Sequence, residues 1–204
     1  MNDDATLLSA WASGDRAAGA QLIERHYDPV VRFFRNKATD HADDLVQRTL
    51  LTLAERASTF QGQGSVRAFV FGIARNVLYE HIRGRVRDGR NEPDFHSSAL
   101  ADIAPGVATQ AAQRAEQQLL LEALRHVPVE SQVLLELYYW EELSVGELAE
   151  VMDVPEGTIK SRLHRARGQL REAVEQVPAT PEASRSAISL LDLHAEARGD
   201  TAGA

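Results

Sequence analysis

Leu143–Arg171, LSVGELAEVMDVPEGTIKSRLHRARGQLR, is the stretch whose reading decides the fold. Ser144 and Glu147 have the spacing of a capping box, which fixes the start of a helix. Val145, Leu148, Ala149 and Met152 give that helix one apolar face. Asp153-Val154-Pro155 interrupts it, because proline disfavours helical geometry in the residue before it. A second helix starts near Glu156 and turns Ile159, Leu163, Ala166 and Leu170 inward. Lys160, Arg162, Arg165, Arg167 and Arg171 lie among and opposite these positions. Glu156 is the one acidic residue of this helix as far as Arg171, and it sits in the first turn, where the helix dipole favours it. A merely solvated helical hairpin usually mixes its charges. The pattern is a helix-turn-helix whose second helix suits phosphates and base edges in a major groove.

This cationic helix sits in an acidic chain. The 204 residues carry a formal charge of −8, so nucleic-acid contact must come from local basic patches. No cysteine is present, which excludes a disulfide scaffold and a thiolate metal site. The acidic start, MNDDATLLSAW, lacks the basic flank and apolar run of a signal peptide. No segment approaches the roughly 20 apolar residues that span a bilayer. A soluble, cytoplasmic protein with no membrane contact of its own is expected.

Outward from the motif, the ordered segments have helical period. Leu7, Leu8 and Trp11 mark a first short helix ending near Gly14. Ala17–Tyr27 reads as a second, and Pro29 restarts the chain into Val30–Lys37. Thr39 or Asp40 can cap a helix from about His41 to Ser58, with Leu45, Val46, Thr49, Leu50 and Leu53 on one face. After the loop Phe60-Gln61-Gly62-Gln63-Gly64-Ser65, a long helix runs from Val66 to about Arg87, with Phe69, Val70, Ile73, Val77 and Leu78 inward. Residues from Asp88 to about Thr109 are rich in Gly, Pro, Ser, Asn and Asp and read as a linker. Helices resume over Gln110–His126 and Glu130–Trp140. The expected fold is all-α: two small helical domains, 1–88 and 112–175, joined by a flexible linker, 89–111, the second being a helix-turn-helix domain. Residues 176–204 read as a tail, either disordered or holding a short docking helix through Ile188, Leu190, Leu191 and Leu193.

Two blocks carry a family signature. The first is Asp43-Asp44-Leu45-Val46-Gln47-Arg48-Thr49, followed by the glycine loop and Phe69-Val70-Phe71-Gly72-Ile73-Ala74-Arg75-Asn76. The second is Val154-Pro155-Glu156-Gly157-Thr158-Ile159-Lys160-Ser161-Arg162-Leu163-His164-Arg165-Ala166-Arg167. In order and spacing, over about Leu22–Val174, the chain resembles bacterial RNA polymerase sigma factors of the extracytoplasmic-function (ECF) class. The resemblance implies a sigma factor that binds core RNA polymerase and directs promoter-specific transcription initiation. It places Asp43, Asp44, Leu45, Gln47 and Arg48 on the polymerase. Leu45, Val46, Leu50 and Leu53 are also read as core. Gln61, Gly62, Gln63, Gly64, Ser65, Arg75, Asn76 and Arg83 fall at the melted minus-10 element. Thr158, Lys160, Ser161, Arg162, His164, Arg165 and Arg167 fall at the minus-35 duplex. Arg75, Arg83, Arg85, Arg87 and Arg90 outnumber Glu80 and Asp88, so the long helix ends in a cationic strip. Glycines at 62 and 64 permit close backbone approach to a flipped base, and glutamines offer a donor and an acceptor. Many relatives have Thr-Trp-Leu where this chain has Ala68-Phe69-Val70, and a packing role is expected for that aromatic. The family's two promoter elements lie on the order of 70 Å apart. A free coil of about 25 residues averages only about 25–30 Å, but reaches roughly 80 Å when extended. The resemblance also implies an anti-sigma factor as a partner.

Other classes have less support. The seven histidines form no metal-ligand spacing such as HExxH, and no G-x-S-x-G elbow is present. No enzymatic activity, metal or cofactor is therefore expected. The chief alternative is an operator-binding regulator that uses the helix-turn-helix without core polymerase. The strip from Arg75 to Arg90 and the glycine loop favour a second nucleic-acid contact. A module that binds polymerase but no longer reads promoters would not need Lys160, Arg162 and Arg165.

Overall fold

The computed structural model describes residues 3–60, 62, 64–87 and 115–197. All nine α-helices named below fall in two compact units, and no strand occurs among the described residues. One unit lies within Met1–Pro93 together with Leu143–Pro155, the other within Asp94–Glu142 together with Glu156–Ala204.

In the first unit, α1 (Asp4–Ala12) is capped by Asp3, whose carboxylate accepts from the Thr6 N–H at 2.7 Å. The helix stops at Gly14, whose φ of +102° suits glycine. Asp15 then caps α2 (Arg16–Arg35) by accepting from the N–H groups of Ala17 and Ala18. The Trp11 indole lies so close to Gly19 that a side chain there would collide with it. Asp4 adds a polar clasp, accepting from Arg25 Nη1 and meeting His26 Nε2, each at 2.8 Å. Burial pushes the Asp4 carboxyl up, but Arg25 and His26 outweigh it and hold its pKa below the ordinary 3.8.

The expected break at Pro29 does not occur; Pro29 lies inside α2. An internal proline removes one backbone hydrogen bond and costs about 3 kcal/mol. Leu22, His26, Val30, Phe33 and Phe34 are buried on both sides of it. Burying each large apolar side chain contributes roughly 1.5–3 kcal/mol, enough to keep the helix continuous. Thr39 does not cap the next helix either. Its hydroxyl donates back to the Arg35 carbonyl at 2.9 Å, and Lys37 Nζ donates to the Phe33 carbonyl at 2.8 Å. Both side chains therefore satisfy carbonyls at the end of α2. A turn of 3-10 helix over Thr39–His41 leads into α3 (Ala42–Arg56).

Helix α4 (Val66–Arg87) forms the centre of this unit. Val70, Phe71, Ile73, Ala74, Val77, Leu78 and Ile82 are buried, and α1, α2, α3 and α7 (Val145–Met152) all pack against α4. Phe69 is half-buried, with its ring 5.3 Å from that of Phe60. The capping box at the start of α7 forms: Glu147 N–H donates to Ser144 Oγ at 3.2 Å and Ser144 N–H to Glu147 Oε2 at 2.9 Å. Helix α7 ends at Asp153, whose left-handed φ of +55° closes a C-terminal cap before Pro155 acts. The sequence pattern groups α7 with the helix after it, yet compactness groups Leu143–Pro155 with α4.

The second unit contains α5 (Ala115–Leu124), α6 (Val129–Tyr139), α8 (Glu156–Gln176) and α9 (Pro181–Ala197). Its core joins Leu119, Leu120, Leu124, Val127 and Leu135 to Leu170, Val174, Ala187 and Leu191. The tail forms a helix, as one sequence reading has it, but that helix docks on the unit's own core. Thr180 Oγ1 accepts from the Ala183 N–H at 3.2 Å, Pro181 occupies the first helical position, and the helix that follows packs on α5 and α8. Leu191 faces inward, Ile188 lies against the same core, and Leu193 is 60% exposed. The linker and the end beyond Ala197 lie outside the described residues.

This packing predicts a contrast within one helix. Leu191→Ala should destabilise the second unit by about 2–4 kcal/mol in chemical denaturation, as expected for a buried leucine. Leu193→Ala should stay within about 0.5 kcal/mol of the parent.

Candidate nucleic-acid interface

Helix α8 is amphipathic in a way that separates core from function. Ile159, Leu163, Ala166 and Leu170 are buried, while Lys160, Ser161, His164 and Arg165 are exposed on its outer side. Lys160 and Arg165 form no ion pair among the described residues, so their charge is available to an anion. Ser161 Oγ donates to the Thr158 carbonyl at 2.9 Å and keeps its lone pairs for a donor.

The other two arginines of this set are engaged. Arg162 is half-buried and forms an ion pair with Glu130, which is only 8% exposed. Glu130, Ser131, Thr158, Ser161, Arg162, Arg165 and Gln169 line one shallow polar groove between α6 and α8, and Ser131 Oγ donates to Gln169 Oε1 at 2.7 Å. Arg167 departs from the expectation of a DNA contact. It is 8% exposed, donates from Nε to the Tyr139 hydroxyl at 2.8 Å, and lies 5.3 Å from the Tyr138 ring centroid. Its place in the helical repeat puts it on the Leu163–Leu170 side, where two aromatic faces hold the cation.

In the first unit, α3 presents Asp43, Asp44, Gln47 and Arg48 outward. Leu45, expected as a docking residue, is 4% exposed and belongs to the core. Leu51, off the apolar stripe, is 58% exposed on the face that Asp44 and Arg48 share. Arg48 forms an ion pair with Glu80 of α4. Nearby, the His41 and His81 rings meet at a tilt of 53° with centroids 4.8 Å apart, and His81 Nε2 is buried without a hydrogen-bond partner. Burial, then the charges of His41, Arg85 and Arg48, lower the His81 pKa from its ordinary 6.5.

The loop before α4 turns through Gly62 and Gly64, at φ +72° and +84°. These left-handed values explain the glycines. Gln61 and Gln63 lie outside the described residues. Ser65 starts α4 by accepting from the Ala68 N–H at 3.4 Å, and its own N–H donates to Glu150 Oε2 at 3.2 Å. Burial pushes the Glu147 carboxyl up, but the Ser144 N–H, the Ser65 and Ser144 hydroxyls and the Arg67 charge outweigh it, so its pKa lies below the ordinary 4.5. Along α4, Asn76 and Arg83 are exposed two turns apart on one face, with Glu80 between them. Arg75 Nη1 donates to Asn76 Oδ1 at 3.5 Å while its guanidinium covers the Tyr79 ring at 4.7 Å. Arg75 and Asn76 therefore touch, whereas Ser65 and Arg83 stand well apart along the helix.

Two family models match the chain in order: Sigma-70 region 2 over residues 22–88 and Sigma-70, region 4 over residues 117–170. The ECF RNA polymerase sigma factor SigM of Mycobacterium tuberculosis is 31% identical over 169 residues, covering 82% of each chain. This chain belongs to the ECF class of RNA polymerase sigma factors. The ECF sigma factor RpoE of Cereibacter sphaeroides is likewise 31% identical, over 78% of this chain and 87% of that one. Two solved structures share the fold. CnrH, in complex with the cytosolic domain of CnrY, has a TM-score of 0.62 at 21% identity and covers 86% of this chain and 99% of its own. RpoE in complex with the anti-sigma factor NepR from Bartonella quintana has a TM-score of 0.62 at 24% identity, covering 76% and 96%. The region 4 match of this sigma factor covers α7 and α8 as far as residue 170, while α9 lies beyond the matched range.

Sequence reasoning missed Leu51, Glu80 and Glu130. Leu51 had a signal, being apolar and outside the stripe of its own helix. Glu80 and Glu130 had none, because each pairs with an arginine 32 residues distant.

The lowered His81 pKa fixes the direction of a pH effect. Between its folded value and 6.5 the unfolded chain binds more protons, so the stability from neutral His81 is full above pH 6.5 and is lost as pH falls through the folded value. Urea denaturation from pH 7.5 to 5 should show this loss, and His81→Gln should flatten it.

Proposed function

We propose that this chain binds core RNA polymerase and directs promoter-specific initiation, with α8 reading the minus-35 duplex and α4 with its preceding loop holding the melted minus-10 strand. The observation that carries this reading is the two-sided α8, whose buried leucines fix Lys160, Ser161, His164 and Arg165 on the opposite face. Lys160 and Arg165 contact guanine edges or phosphates, Ser161 and His164 supply polar contacts, and Thr158 contacts phosphate. Arg162 reaches a phosphate from the edge of the groove with the guanidinium nitrogens that Glu130 leaves open, Glu130 holding Nη1. Arg167 supports α8 from within.

In the first unit, Asp43, Asp44, Gln47 and Arg48 dock on the polymerase, with Leu51 as the apolar contact among them. Gly62, Gly64, Ser65, Arg75, Asn76 and Arg83 meet the single strand, and Gln61 and Gln63 belong to the same loop. The factor acts without catalysis of its own, in the cytoplasm. No helix among the described residues is long and apolar enough to cross a membrane. An anti-sigma protein is its negative partner, in keeping with two structural relatives described with CnrY and with NepR. An operator-binding regulator would need only the helix-turn-helix, and the region 2 match over 22–88 weighs against that reading.

Transcription from a promoter library, with core polymerase alone and with the protein added, tests the proposal. New starts only with the protein are expected; no starts, with tight duplex binding by the protein alone, would favour the regulator. Lys160→Ala or Arg165→Ala should each cost roughly 1–3 kcal/mol at the minus-35 element. Leu51→Ala should weaken core polymerase binding by about tenfold while leaving the melting temperature unchanged, since the side chain is exposed.

A further inference from the structure

Helix α7 does something in this structure that neither promoter element requires. It belongs to region 4 by sequence, yet it packs on α4, and its acidic side closes onto the start of that helix. Glu150 Oε2 accepts from the Ser65 N–H at 3.2 Å. A Cβ on Gly64 would stand within 2.6 Å of the Glu150 carboxylate carbon, so the carboxylate lies directly on the loop backbone. Glu147 lies beside the Ser65 hydroxyl and the Arg67 charge, both of which lower its pKa. Two carboxylates thus occupy the groups that would attract a phosphodiester: a backbone N–H at a helix N-terminus, a hydroxyl and a guanidinium.

The segment that delivers them is bounded by backbone of a special kind. Glu142 and Asp153 are the two non-glycine residues with left-handed φ among the described residues, at +53° and +55°. They stand beside two of the three points where the chain passes between its compact units. Such residues each cost of order 1–3 kcal/mol and persist where the surrounding structure holds them.

We propose that α7 is an autoinhibitory acidic plug: Glu150 and Glu147 cover Gly64, Ser65 and Arg67 in the free protein and must leave before single-stranded promoter DNA can enter. This rests on the reading of α4 and its loop as the minus-10 site. While the plug is seated, a strand meets both a filled hydrogen-bonding site and two negative charges. The apparent affinity for single-stranded DNA then falls by the fraction of molecules that are open.

The test uses the full chain, free and bound to core polymerase, and a fluorescent single-stranded oligonucleotide carrying the minus-10 sequence found by the library transcription. The double variant Glu147→Gln with Glu150→Gln retains a capping residue at the start of α7. In the free protein it should bind the oligonucleotide about tenfold more tightly than the parent, as for a plug closed in nine molecules of ten. Glu150→Lys should bind more tightly still, with a steeper dependence on salt. Glu24→Gln, which removes an exposed charge on α2, should leave affinity unchanged and so controls for net charge. If the polymerase-bound protein binds the oligonucleotide but the glutamate variants match the parent when free, the plug is overturned and the minus-10 reading stands. If the polymerase-bound protein does not bind it, both fall. An equal gain from Glu24→Gln would also overturn the plug.

Discussion

The packing around α4 is the constraint on which the first unit depends. Every other α-helix of that unit contacts it, and its buried positions follow one another so closely that little of its circumference is left for solvent. Whatever α4 offers a partner must therefore come from its start, where Ser65 and the glycine loop lie, and from the narrow strip holding Asn76, Glu80 and Arg83. The placement of α3 follows from the same packing. Its apolar stripe is committed to the core, which leaves the Asp44–Arg48–Leu51 face outward and allows Arg48 to reach Glu80.

The second unit solves a different problem with the same means. A domain of this size buries a modest share of its surface and cannot spare apolar residues. Here α9 supplies Ala187 and Leu191 to the core, beyond the range of the region 4 match. Charge is divided as sharply as apolar area. Arg165 faces solvent, Arg162 is held at the groove edge by Glu130, and Arg167, two positions after Arg165, lies under Tyr138 and Tyr139. Three arginines in six residues thus have three environments, set by the 100° step of the helix.

Much of this was legible in the sequence. The capping box at Ser144, the Leu45–Leu53 stripe and the Ile159–Leu170 stripe all identify helices that form. Local signals failed where tertiary contacts outweighed them. Pro29 reads as a break, but apolar burial on both sides carries the helix through. Thr39 reads as the beginning of a helix, but its hydroxyl ends the previous one. The tail carried its own signal in Thr180-Pro181-Glu182, an N-cap followed by proline at the first helical position, and the surrounding polar composition concealed it. The departure of Arg167 from the exposed face of α8 could have been read from helical spacing alone. The pairings of Glu80 and Glu130 could not, because contacts across 32 residues leave no periodic trace in one sequence.

The grouping of Leu143–Pro155 with the first unit has a consequence for the order in which the protein can be made. A ribosome completes α4 at Arg87, but 65 residues separate that point from the end of α7 at Met152. At about 5–20 residues per second, the first unit waits roughly 3–13 s for its last helix. The second unit is completed later still, since α9 ends at Ala197. During that interval the N-terminus of α4 has no carboxylate on it, and the nascent chain is in a form that the finished protein covers.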